Sequence, residues 1–147
     1  MRDFVDSPHP ASVREAEVRV PAHLDRPDLV EWVRAVFSAQ GALSEAVPQF
    51  ANRKGQVDMA VAVAEAVRDA DVLVVEAGTG VGKTFAYLVP ALLSGERVLL
   101  STATKALQDQ LFGRDIPHLV ASLGLAVRTA LLKGRSSYIC LHRLELA

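Results

Sequence analysis

Eight consecutive residues, Ala77-Gly78-Thr79-Gly80-Val81-Gly82-Lys83-Thr84, bring three glycines, a lysine and two threonines together directly after an apolar run. Glycine accepts positive φ at little steric cost, so Gly78, Gly80 and Gly82 let the chain curl until successive backbone N–H groups converge on one concavity. Such a concavity suits an anion. Lys83 adds a mobile positive charge, Thr84 adds a hydroxyl able to sit on Mg²⁺, and a helix starting here aims the positive end of its dipole at the same point. The spacing is that of a P-loop with Ala77 where the first glycine usually stands, and the chemistry it points to is the holding of a nucleotide's phosphates. The competing reading is a ligand-free glycine turn, which has no use for Lys followed by Thr.

A P-loop needs a strand leading in and a helix leading out. The run from Asp71 to Glu76 reads as a buried strand, and Thr84 to Leu93 as a helix that Pro90 should end or kink near Val89. Downstream, Arg97 to Thr102 reads as a strand, Thr104 to Phe112 as a helix ended by Gly113, and 125–134 as a shorter strand. Upstream, residues 55–69 place Val57, Ala60, Val61, Ala64 and Val67 on one helical side. Another helix follows Pro27, with Leu29, Val33, Val36 and Phe37 on one face, Trp32 as a packing residue and Gly41 as its stop. Residues 1–26 hold Pro8, Pro10 and Pro21 and show no sustained period, which predicts a loosely structured arm. The alternation over 27–147 predicts an α/β fold: a P-loop (RecA-like) parallel sheet flanked by helices, with ligands at the carboxyl ends of its strands.

Composition narrows the classes further. The chain has 147 residues, 50% of them hydrophobic, which is enough for one core. A net charge of −1 gives no global attraction to nucleic acid or to acidic membranes, so either would have to use a local patch. The single cysteine, Cys140, excludes an internal disulfide and a self-contained cysteine metal site. The start, MRDFVDSPHP, does not read as a secretory signal, and no apolar run approaches membrane-spanning length, so the expected location is the cytoplasm, away from membranes.

Three flanking stretches go beyond a generic P-loop. FANRKGQVDMAVAVAEAV sets Arg53 and Gln56 ahead of a helix, with Phe50 nearby; a side-chain amide offers the donor and acceptor that an adenine edge presents. STATKALQDQLFGRDIP and ALLKGRSSYICLHRLE follow the P-loop. Together these resemble the DinG/YoaA-type DNA helicases, bacterial relatives of the XPD iron–sulfur helicases in superfamily 2, from about Phe37 to the end of the chain. The resemblance implies that Arg53 and Gln56 belong to an adenine-recognition motif, that Ala77 to Thr84 bind ATP, and that Lys83 and Thr84 serve its phosphates and Mg²⁺. It implies that Thr102, Thr104 and Lys105, within Ser101-Thr102-Ala103-Thr104-Lys105, hold the phosphates of single-stranded DNA, and that Cys140 is the first ligand of a [4Fe-4S] cluster. On the residues alone, Thr102 and Thr104 could equally cap the next helix, Cys140 could be a small buried hydrophobe, and Lys133, Arg135 and Arg143 could be a solvated face.

The acidic residues after Thr84 are Glu96, Asp109, Asp115 and Glu145, and none closes an apolar strand. The Asp-Glu-Ala-His box that the resemblance implies is therefore missing, as are the other cluster cysteines and a second motor domain. The resulting expectation is the N-terminal, ATP-binding part of a helicase, with 27–147 forming part of motor domain 1 and ending at the start of the iron–sulfur region. The complete protein would couple ATP hydrolysis to movement on single-stranded DNA and to duplex unwinding in replication or repair, alongside proteins of those processes, while the 147 residues alone would be inactive. Two alternatives from other classes are a different P-loop enzyme, such as a small-molecule kinase, and a non-catalytic nucleotide-responsive module.

Overall fold

The computed structural model describes residues 29–46 and 50–146. The arm expected over 1–26 lies outside the described residues. Seven α-helices are assigned among the described residues: α1 (Leu29–Val36), α2 (Ala42–Ala46), α3 (Lys54–Asp69), α4 (Lys83–Leu93), α5 (Lys105–Gln110), α6 (Ile116–Ser122) and α7 (Leu141–Glu145). A π-helical turn, Leu111–Asp115, joins α5 to α6, and a 3₁₀ turn covers Arg135–Ser137.

The core lies where α3 packs along α4 and α1 packs against both. Ala60 and Ala64 of α3 are fully buried beside Ala86, Leu88 and Val89 of α4, and Val33 of α1 and Phe37, just past its end, close the cluster. Alanine at the contact lets helix axes approach closely, and the larger residues fill the space around it. The α1 helix is shorter than expected, stopping at Val36. Gly41 lies in the turn that follows, where a Cβ would stand 2.3 Å from the carbonyl oxygen of Ala35, so only glycine fits there. Trp32 is partly exposed rather than packed away.

Neither Pro90 nor Gly113 ends a helical run. The α4 helix passes through Pro90, itself fully buried, and runs to Leu93. At Gly113 the chain widens into the π turn and continues into α6, with Pro117 in its first turn. The helical run ends instead at Gly124, whose φ of 61° is the left-handed conformation that glycine supplies.

None of the three expected strands, at 71–76, 97–102 and 125–134, is a strand among the described residues. Their exposure nevertheless alternates. Val72 and Val74 are 88% and 92% exposed, while Leu73 and Val75, each at 41%, line a hollow with Met59, Val63 and Val67 of α3. Leu99 is likewise bare, between the more covered Val98 and Leu100. A period of two with one face against helices is the side-chain pattern of a strand, but a strand also needs a neighbour for its ladder. Segments 98–102 and 128–132 line one cavity of about 400 Å³ together with Leu88, Leu92 and Leu111.

Candidate nucleotide-binding site

The loop from Ala77 to Gly82 connects the 71–76 segment to α4. Gly80 (φ 79°) and Gly82 (φ 87°) occupy the left-handed region; Gly78 does not, so two of the three glycines carry the curl. Gly82 is the residue before α4, and Lys83 and Thr84 open that helix, which brings the cation, the hydroxyl and the free N–H groups of the first turn to one end.

Three side chains engage the loop's carbonyl oxygens. Lys83 Nζ donates to the oxygens of Ala77 (2.6 Å) and Gly78 (3.1 Å). The Arg53 guanidinium donates to Gly80 O, and Gln56 Nε2 donates to Gly82 O at 2.9 Å. Arg53 is the residue before α3 and Gln56 lies in its first turn, so one helix start stands directly beside the other. Gln56 is only 5% exposed, which is affordable for an amide only when it is hydrogen-bonded. Val81 borders the same helix start at Gly55. Thr79 is exposed, as an outward-facing loop residue should be.

One turn along α4 from Thr84 stands Tyr87. Burial pushes its hydroxyl above the ordinary phenol range, a hydrogen bond with Thr84 opposes this, and the charge of Asp115 adds to it. Asp115 was legible only as an acidic residue off any strand end; it is buried in the π turn, where its carboxylate accepts from Gln110 Nε2 (2.7 Å) and Arg114 Nε (2.9 Å). Phe85 stacks on His118 of α6 with ring centroids 6.5 Å apart, tying the P-loop helix to the helix beyond the π turn.

The second predicted group sits at the start of α5. Thr104 Oγ1 accepts from Leu107 N at 3.2 Å as the N-cap, and Thr102 Oγ1 donates to Thr104 O at 3.2 Å. Capping, open on the residues alone, is thus what Thr104 does here, while Lys105 stands exposed at the first helical position. Lys133, read as part of a solvated face, pairs with Asp109 at 2.6 Å, and Gln108 Nε2 donates to Leu132 O, so α5 is fastened to the 125–134 segment. Cys140 is exposed just before α7. Among the described residues, no group of three or more His, Cys, Asp or Glu side chains is placed to hold a metal ion. No helix among them is long and apolar enough to cross a membrane.

Known proteins share this arrangement of sequence. The helicase YoaA of Escherichia coli, named an ATP-dependent DNA helicase, is 53% identical over 109 residues, covering 74% of this chain and 17% of its own length. YoaA of Haemophilus influenzae is 48% identical over 118 residues, covering 80% of this chain and 18% of its own. The ATP-dependent helicase DinG of Mycobacterium tuberculosis is 50% identical over 101 residues, or 63% of this chain and 15% of its own. The chain therefore spans less than a fifth of the length of these relatives. No solved structure matches. The family described as DEAD/DEAH box helicase matches residues 58–144, from the first turns of α3 through the P-loop to α7, and the chain belongs to that family.

Proposed function

We propose that this chain supplies the ATP-binding part of an ATP-dependent DNA helicase. The observation that carries the reading is the loop at the start of α4: two left-handed glycines and carbonyls engaged by Lys83, Arg53 and Gln56, beside a helix first turn whose N–H groups have no intrahelical partner. Residues Ala77 to Thr84 hold the nucleotide's phosphates. Lys83 exchanges the carbonyls of Ala77 and Gly78 for phosphate oxygens, which bind a cation more strongly because they carry net charge. Thr84 fits a Mg²⁺ site in type and position, and the ion, when bound, neutralises charge on the transferring phosphoryl group.

The sheet of the RecA-like fold belongs to this proposal. Its support is the two-residue alternation of exposure along 72–75 and 98–100, with helices on one face. Thr102, Thr104 and Lys105 are proposed to meet single-stranded DNA, with the Thr104 cap fixing the start of α5 as it does so. For a [4Fe-4S] cluster the described residues do not suffice: Cys140 stands alone, and its role as a first ligand would need three further ligands from outside them. The relatives' names support ATP and DNA as ligands; action in replication or repair, partner proteins of those processes and a cytoplasmic location extend the same reading.

The test is ATP turnover by the purified full-length protein that carries this chain, with and without single-stranded DNA. The expected result is hydrolysis that rises when DNA is added and vanishes in Lys83→Ala. Turnover that ignores both DNA and the loss of Lys83 overturns the reading.

A further inference from the structure

The helical run from α5 to α6 lies between the two proposed sites, and its joint is a π turn, a rare element that recurs where helices do functional work. Asp115 ends that turn and is buried, and a buried carboxylate persists only where it is hydrogen-bonded. Its oxygens accept from Gln110 Nε2 at 2.7 Å and from Arg114 Nε at 2.9 Å. Gln110 closes α5 and Asp115 directly precedes α6, so the first of these bonds clasps the two helices across the joint. Leu111 and Leu119 are buried as well, which seats the run in the core as one body. Beyond the joint, the ring of His118 stacks on Phe85, with centroids 6.5 Å apart and planes 28° from parallel. Phe85 is the residue after Thr84. Contacts thus run without a break from the Thr104 cap through α5, the clasp and His118 to the first turn of α4.

We propose that His118, through its stack on Phe85, is a positioning residue that carries the arrival of single-stranded DNA at the start of α5 to the P-loop end of α4, with the Gln110–Asp115 clasp as the joint of that connection. This rests on the nucleotide and DNA readings above and names the residues that join them. A body seated at Leu111 and Leu119 passes a displacement of its α5 end on to its α6 end, whereas a plain loop would absorb it. His118 is exposed, so its ring adds little to the core, yet it touches the residue next to Thr84. The charge of Asp115 also reaches Tyr87, which gives the joint a second point of influence on the same helix. A path of contacts becomes coupling only when both sites bias it, which paired variants measure.

The test is ATP turnover by the full-length protein that carries this chain, with and without single-stranded DNA, in wild type, His118→Ala and His118→Phe. In His118→Ala the stimulation by DNA is expected to fall about tenfold, within the ordinary range of coupling between two sites, while turnover without DNA and the KM for Mg-ATP stay as in wild type. His118→Phe keeps an aromatic ring on Phe85 and is expected to restore the stimulation. Gln110→Ala opens the clasp away from the stack and should also lower it. Combining Gln110→Ala with His118→Ala should cost no more than the larger single loss, because both lie on one path. Stimulation in His118→Ala within about twofold of wild type overturns the proposal. So does a loss that turnover without DNA shares equally, the mark of a residue that only supports the fold, and so does stimulation that stays lost in His118→Phe. Two outcomes reach further back. Wild-type turnover that DNA does not raise overturns the DNA reading, and wild-type protein that hydrolyses no ATP, with Lys83→Ala indistinguishable from it, overturns the nucleotide reading; either takes this proposal with it.

Discussion

Replacing Lys83 with alanine separates binding from folding. In the ligand-free structure Nζ holds two neutral carbonyls, at 2.6 and 3.1 Å, and the side chain is exposed. A charge-assisted hydrogen bond is worth about 1.5–3 kcal/mol net, and two unit charges at about 4 Å gain between ~1 and ~4 kcal/mol as the effective dielectric falls from that of water to that of a protein surface. Binding exchanges the carbonyls for charged oxygens, so only the difference counts, and about 2–3 kcal/mol of affinity depends on Lys83, or roughly 30- to 150-fold in Kd. Folding should hardly change, because the two carbonyl bonds are exposed and alanine suits the first turn of α4, leaving a net effect within about 0.5 kcal/mol. Calorimetric titration with Mg-ATP, run beside urea denaturation of the same two proteins, measures both quantities. An affinity within about threefold of wild type would refute the argument, since it would leave less than ~0.7 kcal/mol for the exchange. An equal fall in stability would refute it differently, by showing that Lys83 holds the fold and not the ligand.

At α5, Thr104→Asp keeps a capping oxygen for Leu107 N but adds a negative charge, so stability should hold while single-stranded DNA binding weakens; Thr104→Ala should cost about 1 kcal/mol of stability. If Asp leaves DNA affinity at 50 mM salt (~) unchanged, Thr104 is a cap and nothing more. Tyr87 is raised chiefly by burial, so its neutral form is favoured in the native state: stability is intact below the unfolded phenol pKa and falls as pH climbs from there through the folded value. Tyr87→Phe should flatten that alkaline arm, and denaturation curves that stay parallel above pH ~10 would contradict it. Finally, full-length protein should lose iron in Cys140→Ser, measured by metal analysis; retained iron would make Cys140 an ordinary surface residue.

Four of the seven helices among the described residues, α1, α3, α4 and α5, were legible, whereas α2, α6, α7 and the sheet were not, and for the sheet the reason lies in where each kind of element finds its hydrogen bonds. Helix α3 spans Lys54–Asp69, within one residue of the range that the spacing of Val57, Ala60, Val61 and Ala64 predicts, because helical bonds are local and the apolar stripe marks the buried side. The strand segments carry the right side chains, but a ladder is a property of two segments, and neither 71–76 nor 97–102 has one among the described residues. Gly113 misled because a glycine stops a helix only in the left-handed conformation, which Gly124 adopts and Gly113 does not. At Pro90, of the two outcomes expected, an end is excluded because the helix runs on to Leu93, with the surrounding packing, complete at Leu88 and Val89, offsetting the missing donor. The loop's place at the start of α4 and the positive φ of Gly80 and Gly82 were legible from the residues, whereas the same expectation at Gly78 was not met. The loop's grip by Arg53 and Gln56 was not legible, since nothing in a one-dimensional pattern links positions 26 or 27 residues apart.

That grip also locates the site within the molecule's packing. The start of α3 and the start of α4 meet at the P-loop, and the bodies of the same two helices form the best-buried part of the core, with Ala60, Ala64, Ala86 and Val89 at 0% exposure. Any rotation of one helix against the other must overlap these small, close-packed side chains, so the spacing of the two helix starts is fixed by contacts well away from the loop. Gln56 then converts that spacing into a position for the Gly82 carbonyl, and Arg53 does the same at Gly80. The 97–102 segment, by contrast, reaches Thr104 with Leu99 bare and no ladder on either side among the described residues. The proposed phosphate site is thus held by the interior of a helix pair, whereas the proposed α5 site depends on its cap, on the Asp109–Lys133 pair and on the Gln108 bond to Leu132. Exposed pairs of that kind contribute at most about 1 kcal/mol each. Of the two sites, the one at α4 is the one whose geometry this part of the chain fixes from within.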